Sequence, residues 1–347
     1  MGRPAMKKNK LIIAYVGNGK STNRYHIPYV LARQEKYEIK TILGRKTDDW
    51  PRLEKVLYTP DLCTLLRDDE IDLVVVCTPN DTHYQLARQI LEAGKNCLVE
   101  KPFCMTAEEA RRLFELADKR SLCVSAYQNR RFDSDFLTVK EVIRSGKLGE
   151  LLEVETHFDY NRPEVPGSST EYNVSQSFVY TNASHSIDQM IDCFGTPDAV
   201  RSDARQLLGK GRMNDYYDVD LYYGALKVSV KGSYFRVKMR PAFVVYGKKG
   251  VFIKETRDRQ EMDLKRSYFP YEHMDFGLDR LTDYGTLLCL NDEGIYVQEK
   301  IPSIRGDYGC VYDEIYDTIV RGSTPTVTKE QIVLQIELLE GMVKKLE

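Results

Sequence analysis

The 347-residue sequence lacks several features that would place it in a familiar functional class. Its 50 Lys and Arg residues against 52 Asp and Glu residues give a net charge of −2, so no positive excess is present to attract nucleic acid. No apolar run near the start approaches the ~20 residues that cross a bilayer, and no secretory apolar stretch follows residues 1–10. We therefore expect a cytoplasmic protein with neither a nucleic-acid nor a membrane partner.

Metal-binding and hydrolase motifs are also missing. The eight cysteines form no CxxC pair, and the sequence contains neither HExxH nor GxSxG. Because structural zinc needs paired Cys or His ligands and serine hydrolases of the α/β type need a nucleophile elbow, both classes are excluded. We predict buried free thiols in a reducing compartment and no metal site, with a metal or disulfide framework of cysteines as the alternative.

Short β-branched runs alternate with helix-like segments from residue 11 to about residue 129. This alternation is typical of βαβ units and a parallel sheet. The predicted strands cover 11–17, 37–43, 71–79, 96–102 and 123–129. Thr106 and Glu109 form a capping box that predicts the start of one of the intervening helices.

The pattern changes after a predicted helix at 132–145. Strands are predicted at 151–160 and 225–235, hairpins at 246–253 and 290–297, and a final helix at 328–346 with Thr328 and Gln331 as its capping box. The predicted fold is α/β: a Rossmann-type, doubly wound parallel sheet in domain 1–129, followed by an α+β domain, 130–347, with a large open antiparallel sheet. The C-terminal helix is a candidate to pack back on the first domain.

The segment GNGKST follows the first predicted strand. In dinucleotide-binding folds the first glycine makes a tight turn and the second lets the backbone approach the pyrophosphate, roles that Gly17 and Gly19 fit. Thr22 replaces the third glycine, while Lys20 and Ser21 are candidate phosphate contacts. An ordinary turn is the alternative interpretation.

The end of the second strand lacks the acidic residue that holds the ribose 2′-hydroxyl of NAD. Gly44, Arg45 and Lys46 stand there instead. Two cations would neutralise a 2′-phosphate, so the segment favours NADP, with a solvated basic loop as the alternative.

Two segments carry candidate catalytic residues. Lys101 lies at the carboxyl end of the strand NCLVEKP, where ligands of open α/β sheets bind, and Glu100 is placed to orient it. The lysine can stabilise a developing alkoxide, or it can be an ordinary surface lysine. His185 and Asp188 share one helix face, so His185 is either a proton-transfer group or a core histidine.

Together these segments resemble the Gfo/Idh/MocA oxidoreductases, the family of glucose–fructose oxidoreductase and inositol dehydrogenase. The similar segments are GNGKST with His26 and Pro28 behind it, VVVCTPNDTHYQLARQILEAGKNCLVEKPF, YQNRRFD, GKLGELLEVETHFDYNRPE and SHSIDQMIDCFGTP. The resemblance covers nearly the whole chain and implies the same two-domain fold.

The resemblance assigns the family's lysine role to Lys101 and its histidine role to His185. Many relatives carry an aspartate four residues before the histidine, whereas this chain has Thr181, as a poorly characterised branch of the family does. The implied cofactor-binding residues are Gly17, Gly19, Lys20, Ser21, Thr22, Arg45, Lys46, Thr78, Pro79, Asn80, His83, Glu100, Lys101, Asn129 and Arg130. The implied substrate-binding residues are Lys101, Tyr160, Arg162, Thr181, His185 and Asp188.

The implied function is transfer of a hydride between a nicotinamide cofactor and a secondary alcohol or ketone of a sugar, polyol or inositol-like substrate. NADP(H) is the preferred cofactor and NAD(H) the other candidate. Two alternatives stay open: an NAD-dependent glycosidase on the same scaffold, and a non-catalytic NADP-binding sensor. Relatives are commonly dimers or tetramers, so a homodimer or homotetramer through the open sheet is expected.

Overall fold

The computed structural model describes residues 10–44, 50–291, 293–344 and 346. Within these residues the chain divides into two compact units. The first unit comprises Met1–Asn129, Met262–Phe276 and Tyr308–Ile336, and the second comprises Arg130–Glu261, Gly277–Asp307 and Glu337–Glu347. Compared with the predicted domains 1–129 and 130–347, the first unit also contains 262–276 and 308–336.

The first unit is built on a six-stranded parallel sheet with the order β3-β2-β1-β4-β5-β6. Its strands are β1 (Leu11–Val16), β2 (Tyr37–Leu43), β3 (Leu57–Thr59), β4 (Leu73–Val76), β5 (Asn96–Val99) and β6 (Val124–Ala126). Five of the six were predicted, and β3 was missed because three residues carry no periodic signal. The strand order reverses direction between β1 and β4, and ligands of doubly wound sheets bind at such a point.

Four helices lie between these strands: α1 (Ile27–Leu31), α2 (Leu62–Leu66), α3 (His83–Glu92) and α4 (Ala107–Arg120). A π-helical turn, Ser21–His26, leads into α1. The capping box at the start of α4 is confirmed, since Thr106 and Glu109 exchange side-chain to backbone hydrogen bonds. Because β1, β4 and β5 pair in parallel, their carboxyl ends lie at one edge of the sheet.

The second unit contains an eight-stranded sheet with the order β14-β13-β12-β11-β7-β10-β9-β8. Its strands are β7 (Leu151–His157), β8 (Ala199–Arg205), β9 (Tyr216–Tyr223), β10 (Leu226–Ser233), β11 (Phe243–Gly247), β12 (Gly250–Lys254), β13 (Gly285–Leu290) and β14 (Tyr296–Ile301). Both predicted hairpins are confirmed as β11–β12 and β13–β14. The sheet is not purely antiparallel as predicted, because β7 and β10 pair in parallel.

The helices that follow β6 are α5 (Ser134–Arg144), α6 (Glu164–Gly167), α7 (Ser184–Phe194) and α8 (Gln260–Lys265). Helix α5 packs on β11 and β12, and α7 packs on β10. Helix α5 begins two residues later than predicted because Asn129–Phe132 form a 3-10 turn. All of residues 184–191 in α7 are buried, the apolar Ile187, Met190 and Ile191 among them, whereas Phe194 is half-buried.

The last two helices are α9 (Cys310–Tyr316) and α10 (Lys329–Val343). Val327 and Ile332 are buried in the same hydrophobic cluster as the first sheet. The Nε2 group of Gln128 donates to Gln335 Oε1 at 2.9 Å, which ties the end of β6 to α10. The predicted capping box is confirmed, because Thr328 and Gln331 bond reciprocally.

Two further expectations concern cysteine and membrane segments. No cysteine forms a disulfide among the described residues. The expectation of buried thiols is correct for Cys77, Cys97, Cys104 and Cys289 but wrong for Cys63, which is exposed, and for Cys123, Cys193 and Cys310, which are half-buried. No group of metal-ligating side chains occurs in the described part of the chain. Nor does any of its helices combine the length and apolarity needed to span a bilayer.

Candidate functional site

The turn after β1 brings the backbone against the neighbouring strand. Gly17 has φ +112°, and a Cβ atom there would lie 2.5 Å from the Cys77 carbonyl oxygen. Only glycine fits this position without displacing β4. A Cβ on Gly19, by contrast, would meet nothing within 4 Å, so the backbone there borders open space.

Polar side chains hold this turn in shape. Thr22, at the position of the third glycine of the usual fingerprint, is fully buried, and its hydroxyl donates to the Gly17 carbonyl at 2.6 Å. Asn23 Nδ2 donates to Asn18 Oδ1 at 3.0 Å and to the Gly19 carbonyl at 3.0 Å. Thr22 therefore secures the helix to the strand through a hydrogen bond where a glycine would use close packing. Asn18, the second residue of GNGKST, and Asn23 were not predicted, because the dinucleotide-binding fingerprint assigns no role to these two positions.

A cavity of about 840 Å³ lies at the carboxyl ends of β1, β2 and β4. Its lining includes Gly17, Gly19, Gly44, Thr78 and Pro79, all of them singled out in the sequence. The volume falls within the range of cofactor pockets, and its walls combine backbone groups with apolar side chains. The cavity and the open backbone at Gly19 fit a bound dinucleotide.

The end of β2 is the place where nicotinamide cofactors are discriminated. Gly44 donates its backbone N–H to Thr59 at 3.0 Å, and a Cβ on Gly44 would meet the Asn18 Cβ at 2.9 Å. The glycine thus lets the second strand approach the glycine turn. Arg45 and Lys46, the predicted 2′-phosphate contacts, lie outside the described residues.

Glu100 joins the glycine turn to the strand that carries Lys101. Its Oε1 accepts hydrogen bonds from the Ser21 hydroxyl and from His26 Nε2, the latter at 3.1 Å. Its Oε2 accepts the backbone N–H of Lys101 at 3.0 Å. On the far side of the imidazole, Tyr312 of α9 places its hydroxyl 2.7 Å from His26 Nδ1. One carboxylate therefore positions a cofactor-turn residue and the candidate catalytic lysine together.

His26 and Glu100 form a charged pair. Burial lowers the pKa of His26, but the neighbouring Cys77 sulfur and the Glu100 carboxylate outweigh it, and the net shift is upward. Burial raises the pKa of Glu100, but His26, Lys101 and Ser21 lower it by more than burial raises it, so its net shift is downward. The two opposite shifts describe an imidazolium and a carboxylate that stabilise each other. The pairing joins residues 74 positions apart, so it could not be predicted from the sequence.

Four of the predicted cofactor residues follow β4: three lie in the connecting segment, and His83 begins α3. Thr78 and Pro79 line the cavity, and Asn80 begins a 3-10 turn. His83 is fully buried, with Nε2 2.9 Å from the Thr78 carbonyl and Nδ1 2.8 Å from the Pro102 carbonyl. In this position His83 links the cofactor loop to the segment after Lys101.

In the second unit, His185 lies one residue inside α7 and is 7% exposed. Its ring stacks on Phe158 with a centroid distance of 6.4 Å. Arg130, predicted to lie near the nicotinamide, has its guanidinium carbon 5.1 Å from the same Phe158 centroid. Its charge is balanced by Asp133, 3.2 Å away, and by Glu261. Asn129, its neighbour in the chain, is buried at the end of the first unit.

Asp188 is engaged in a buried ion pair with Arg131. Arg131 donates to the two carboxylate oxygens at 2.7 and 2.8 Å, and both side chains are less than 5% exposed. Burial raises the pKa of Asp188, although Arg131 opposes the shift. Asp188 therefore ties α7 to the 3-10 turn that carries Arg131. The Thr181 hydroxyl donates to the Ser177 carbonyl at 2.8 Å.

Tyr160 and Arg162 lie on the segment that follows β7. The Arg162 guanidinium carbon is 5.1 Å from the Tyr160 ring centroid. Tyr160 also packs on Phe158, which carries the His185 ring on its face. The structure therefore brings two of the predicted substrate-binding residues, His185 and Tyr160, against Phe158, and a third, Arg162, against Tyr160.

Comparison with known proteins decides the family. The model described as "Oxidoreductase family, NAD-binding Rossmann fold" matches residues 11–128, and the "GFO/IDH/MocA C-terminal domain" matches residues 136–253. The chain belongs to the Gfo/Idh/MocA oxidoreductase family. As a Gfo/Idh/MocA protein it is an oxidoreductase with an NAD-binding Rossmann fold, which confirms the predicted family, fold class and enzyme class.

Several members of the family are similar along almost their whole length. The chain is 44% identical to uncharacterized oxidoreductase YhhX of Escherichia coli over 94% of both chains. It is 32% identical to scyllo-inositol 2-dehydrogenase (NADP(+)) IolW of Bacillus subtilis, over 96% of this chain and 93% of IolW. A crystal structure of a Bacillus cereus oxidoreductase superposes with a TM-score of 0.89 at 42% identity, covering 95% of each chain.

Proposed function

We propose that this Gfo/Idh/MocA protein transfers a hydride between NADP(H) and a secondary alcohol or ketone of a sugar, polyol or inositol-like substrate. The observation that carries the proposal is the Glu100 carboxylate, which binds Ser21 of the cofactor turn and the backbone of Lys101. Because one carboxylate holds both segments, it can fix the position of the cofactor relative to the reacting lysine. The name of the relative IolW, an NADP-dependent inositol dehydrogenase, agrees with this substrate class.

Lys101 and His185 have different roles at the substrate hydroxyl. A bound nicotinamide supplies the hydride acceptor or donor. Lys101 donates a hydrogen bond to the substrate oxygen and stabilises negative charge there as the proton leaves. In the oxidative direction His185 accepts that proton, and in reduction it returns it. Tyr160 and Arg162 contact the rest of the substrate.

The preference for NADP rests on the end of β2. Gly44 closes that strand against Asn18, and no carboxylate stands at Gly44, Arg45 or Lys46 to bind a ribose 2′-hydroxyl. A 2′-phosphate would be matched by the two cations. NAD(H) remains the second candidate, with weaker binding.

A substrate panel tests the proposed function. Inositols, aldoses and their keto forms are offered with NADP(H) and with NAD(H), and the nicotinamide absorbance is followed in both directions. We expect net cofactor turnover that is abolished by Lys101→Met, with the dissociation constant for NADP⁺ unchanged. Cleavage of a glycoside without net turnover would identify a glycosidase instead. Cofactor binding without reaction on any compound would identify a sensor.

We also propose that two or four copies associate through the open face of the second sheet. Along β9, Tyr217, Val219 and Leu221 are buried while their neighbours face the other side. That side carries cross-strand charge pairs such as Lys231 with Glu155 at 3.6 Å. Exposed apolar side chains also occur on the sheet, with Tyr296 67% exposed. Sedimentation velocity measures the number of copies in the assembly. We also propose that the protein is located in the cytosol.

A further inference from the structure

Arginine side chains gather on the two aromatic rings that follow β7. The guanidinium carbon of Arg257 lies 3.3 Å from the Phe158 ring centroid and 5.7 Å from that of Tyr160. Arg162 covers Tyr160, and Arg130 lies on Phe158 at 5.1 Å. Cations favour aromatic faces, but several like charges close together repel one another unless anions balance them.

Carboxylates balance only part of this charge. Arg130 pairs with Asp133 and Glu261, and nearby Arg240 is held by both oxygens of Asp159 at 2.8 Å. Among the described residues, no carboxylate lies within ion-pair distance of Arg257 or Arg162. The buried Asp135 carboxylate attracts Arg257 from a longer distance. The group formed by Arg257 and Arg162, which we call the arginine pair, therefore has no carboxylate in direct contact among the described residues.

Arg257 needs an anionic partner more than Arg162 does, because its guanidinium is partly removed from water. One of its terminal nitrogens donates to the His157 carbonyl at 2.9 Å, and its planar face lies on Phe158. Burial lowers the pKa of the guanidinium and the charge of Arg130 lowers it further, whereas Tyr160, Tyr217 and the Asp135 carboxylate raise it; the net shift is downward. A partly buried cation is costly unless an anion accompanies it.

The arginine pair adjoins the candidate proton-transfer residue. Phe158 carries Arg257 and also stacks on the His185 ring at an interplanar angle of 18°. We infer that the substrate is an anionic polyol, with a carboxylate or a phosphate bound by Arg257 and Arg162 while its hydroxyl-bearing carbon faces His185. The guanidinium fork suits either group, since both present paired oxygens. This inference rests on the proposed function and adds its substrate class.

Binding of matched sugars tests the inference without requiring turnover. Calorimetric titrations of the full chain, saturated with NADP⁺, compare D-glucose with D-glucuronate and D-glucose 6-phosphate, with inorganic phosphate as a fourth probe. We expect at least one of the three anions to bind ten or more times more tightly than glucose, with an advantage that falls as salt increases. The glucuronate and phosphate arms distinguish a carboxylate from a phosphate ligand.

Variants locate the binding. Arg257→Met keeps an apolar side chain on Phe158 and should weaken anion binding at least tenfold, whereas Arg257→Lys should retain part of it. Arg162→Ala removes an exposed side chain and should weaken binding severalfold. Arg201→Met is the matched control, because Arg201 lies similarly on Tyr222 at 5.7 Å in an exposed part of the sheet.

The inference would be overturned by anions that bind no more tightly than glucose, or by anion binding that survives both Arg257→Met and Arg162→Ala. Turnover of neutral polyols with full activity in Arg257→Met would also reject it while leaving the oxidoreductase intact. Failure of hydride transfer with every compound would instead contradict the proposed function. The comparison of anion binding with glucose binding would still test the inference, because it requires no turnover.

Discussion

The Nε2 atom of His26 lies 3.1 Å from Glu100 Oε1, and both residues belong to the first unit. His26 precedes α1 while Glu100 follows β5, so the contact closes a loop of more than seventy residues. Because the same carboxylate accepts Ser21 and the Lys101 backbone, the histidine helps to keep it ionised and oriented. His26 is thus a positioning residue.

Glu100→Gln should impair cofactor binding and turnover together. The variant keeps the size of the side chain but replaces charged hydrogen bonds with neutral ones, and each loses on the order of 1 kcal/mol. We expect kcat/KM to fall roughly 10- to 100-fold, with a raised KM for the cofactor. Glu108→Gln, on the exposed face of α4, is the control. Kinetics equal to those of the unchanged protein would deny Glu100 its linking role.

His26→Gln should change how stability depends on pH. The raised pKa of His26 in the folded state contributes stability that is complete below the unfolded value of about 6.5. That contribution is lost as the pH rises through the folded value. The difference in Tm between the unchanged protein and His26→Gln should therefore shrink between pH 7 and pH 10. A constant difference would mean that His26 is not charged; His273→Gln, at a partly exposed site, controls for loss of a histidine.

Arg45→Ala should narrow the preference for NADP(H) over NAD(H). One charge-assisted contact to a phosphate contributes about 1.5 to 3 kcal/mol, so the unchanged protein should prefer NADP(H) tenfold or more. Fluorescence titration with each reduced cofactor measures both constants. Arg67→Ala, an exposed cation elsewhere in the first unit, should leave their ratio unchanged. Equal constants for the two cofactors before any substitution would refute the preference.

His185→Asn should remove the dependence of oxidation on a neutral imidazole. The oxidative rate of the unchanged protein should rise with pH over the range in which histidines lose their proton, and then level off. The variant should lose this rise and react roughly 10²- to 10⁴-fold more slowly. Unchanged Kd for the cofactor would separate this loss from misfolding. A variant that keeps both the rate and the rise would leave His185 as a packing residue.

Arg131→Met should destabilise the fold strongly because Asp188 would be left buried without its cation. Breaking a buried pair by removing one partner costs about 3 to 5 kcal/mol, whereas the exposed Arg144 and Glu141 pair is worth about 1 kcal/mol or less. Burial already raises the pKa of Asp188, and loss of Arg131 raises it further. The penalty should therefore decrease as the pH falls and Asp188 takes up a proton. Urea unfolding at pH 8 and pH 5, with Arg144→Met alongside, measures both effects.

Local patterns in the sequence were enough to predict most elements of the fold. Gly17 was recognisable because strand, turn and helix signals occur within twelve residues, and the capping boxes at Thr106 and Thr328 are equally local. The parallel pairing of β7 with β10 was not, since the direction of pairing between distant strands leaves no mark on side-chain alternation.

The same distinction applies to the candidate site. Lys101 and His185 belong to motifs, so they could be named from the sequence. Arg257 follows β12 in an irregular segment, and its position on Phe158 arises from tertiary structure alone. The ion pair between Arg131 and Asp188 likewise joins two helical segments more than fifty residues apart, so the sequence could identify the carboxylate but not its partner.

Tyr312 of α9 determines when the first unit can complete its buried hydrogen bonds during synthesis of the chain. Its hydroxyl lies 2.7 Å from His26 and 3.2 Å from the Tyr15 hydroxyl, and its carbonyl accepts the Tyr37 hydroxyl at 2.5 Å. These buried groups of the first βαβ units therefore have no partner from α9 until the ribosome has passed residue 312. At ~5 to 20 residues per second, the roughly 180 residues between Asn129 and Tyr312 take on the order of 10 to 40 s. The nascent amino-terminal half must therefore wait in an unfinished state during that interval.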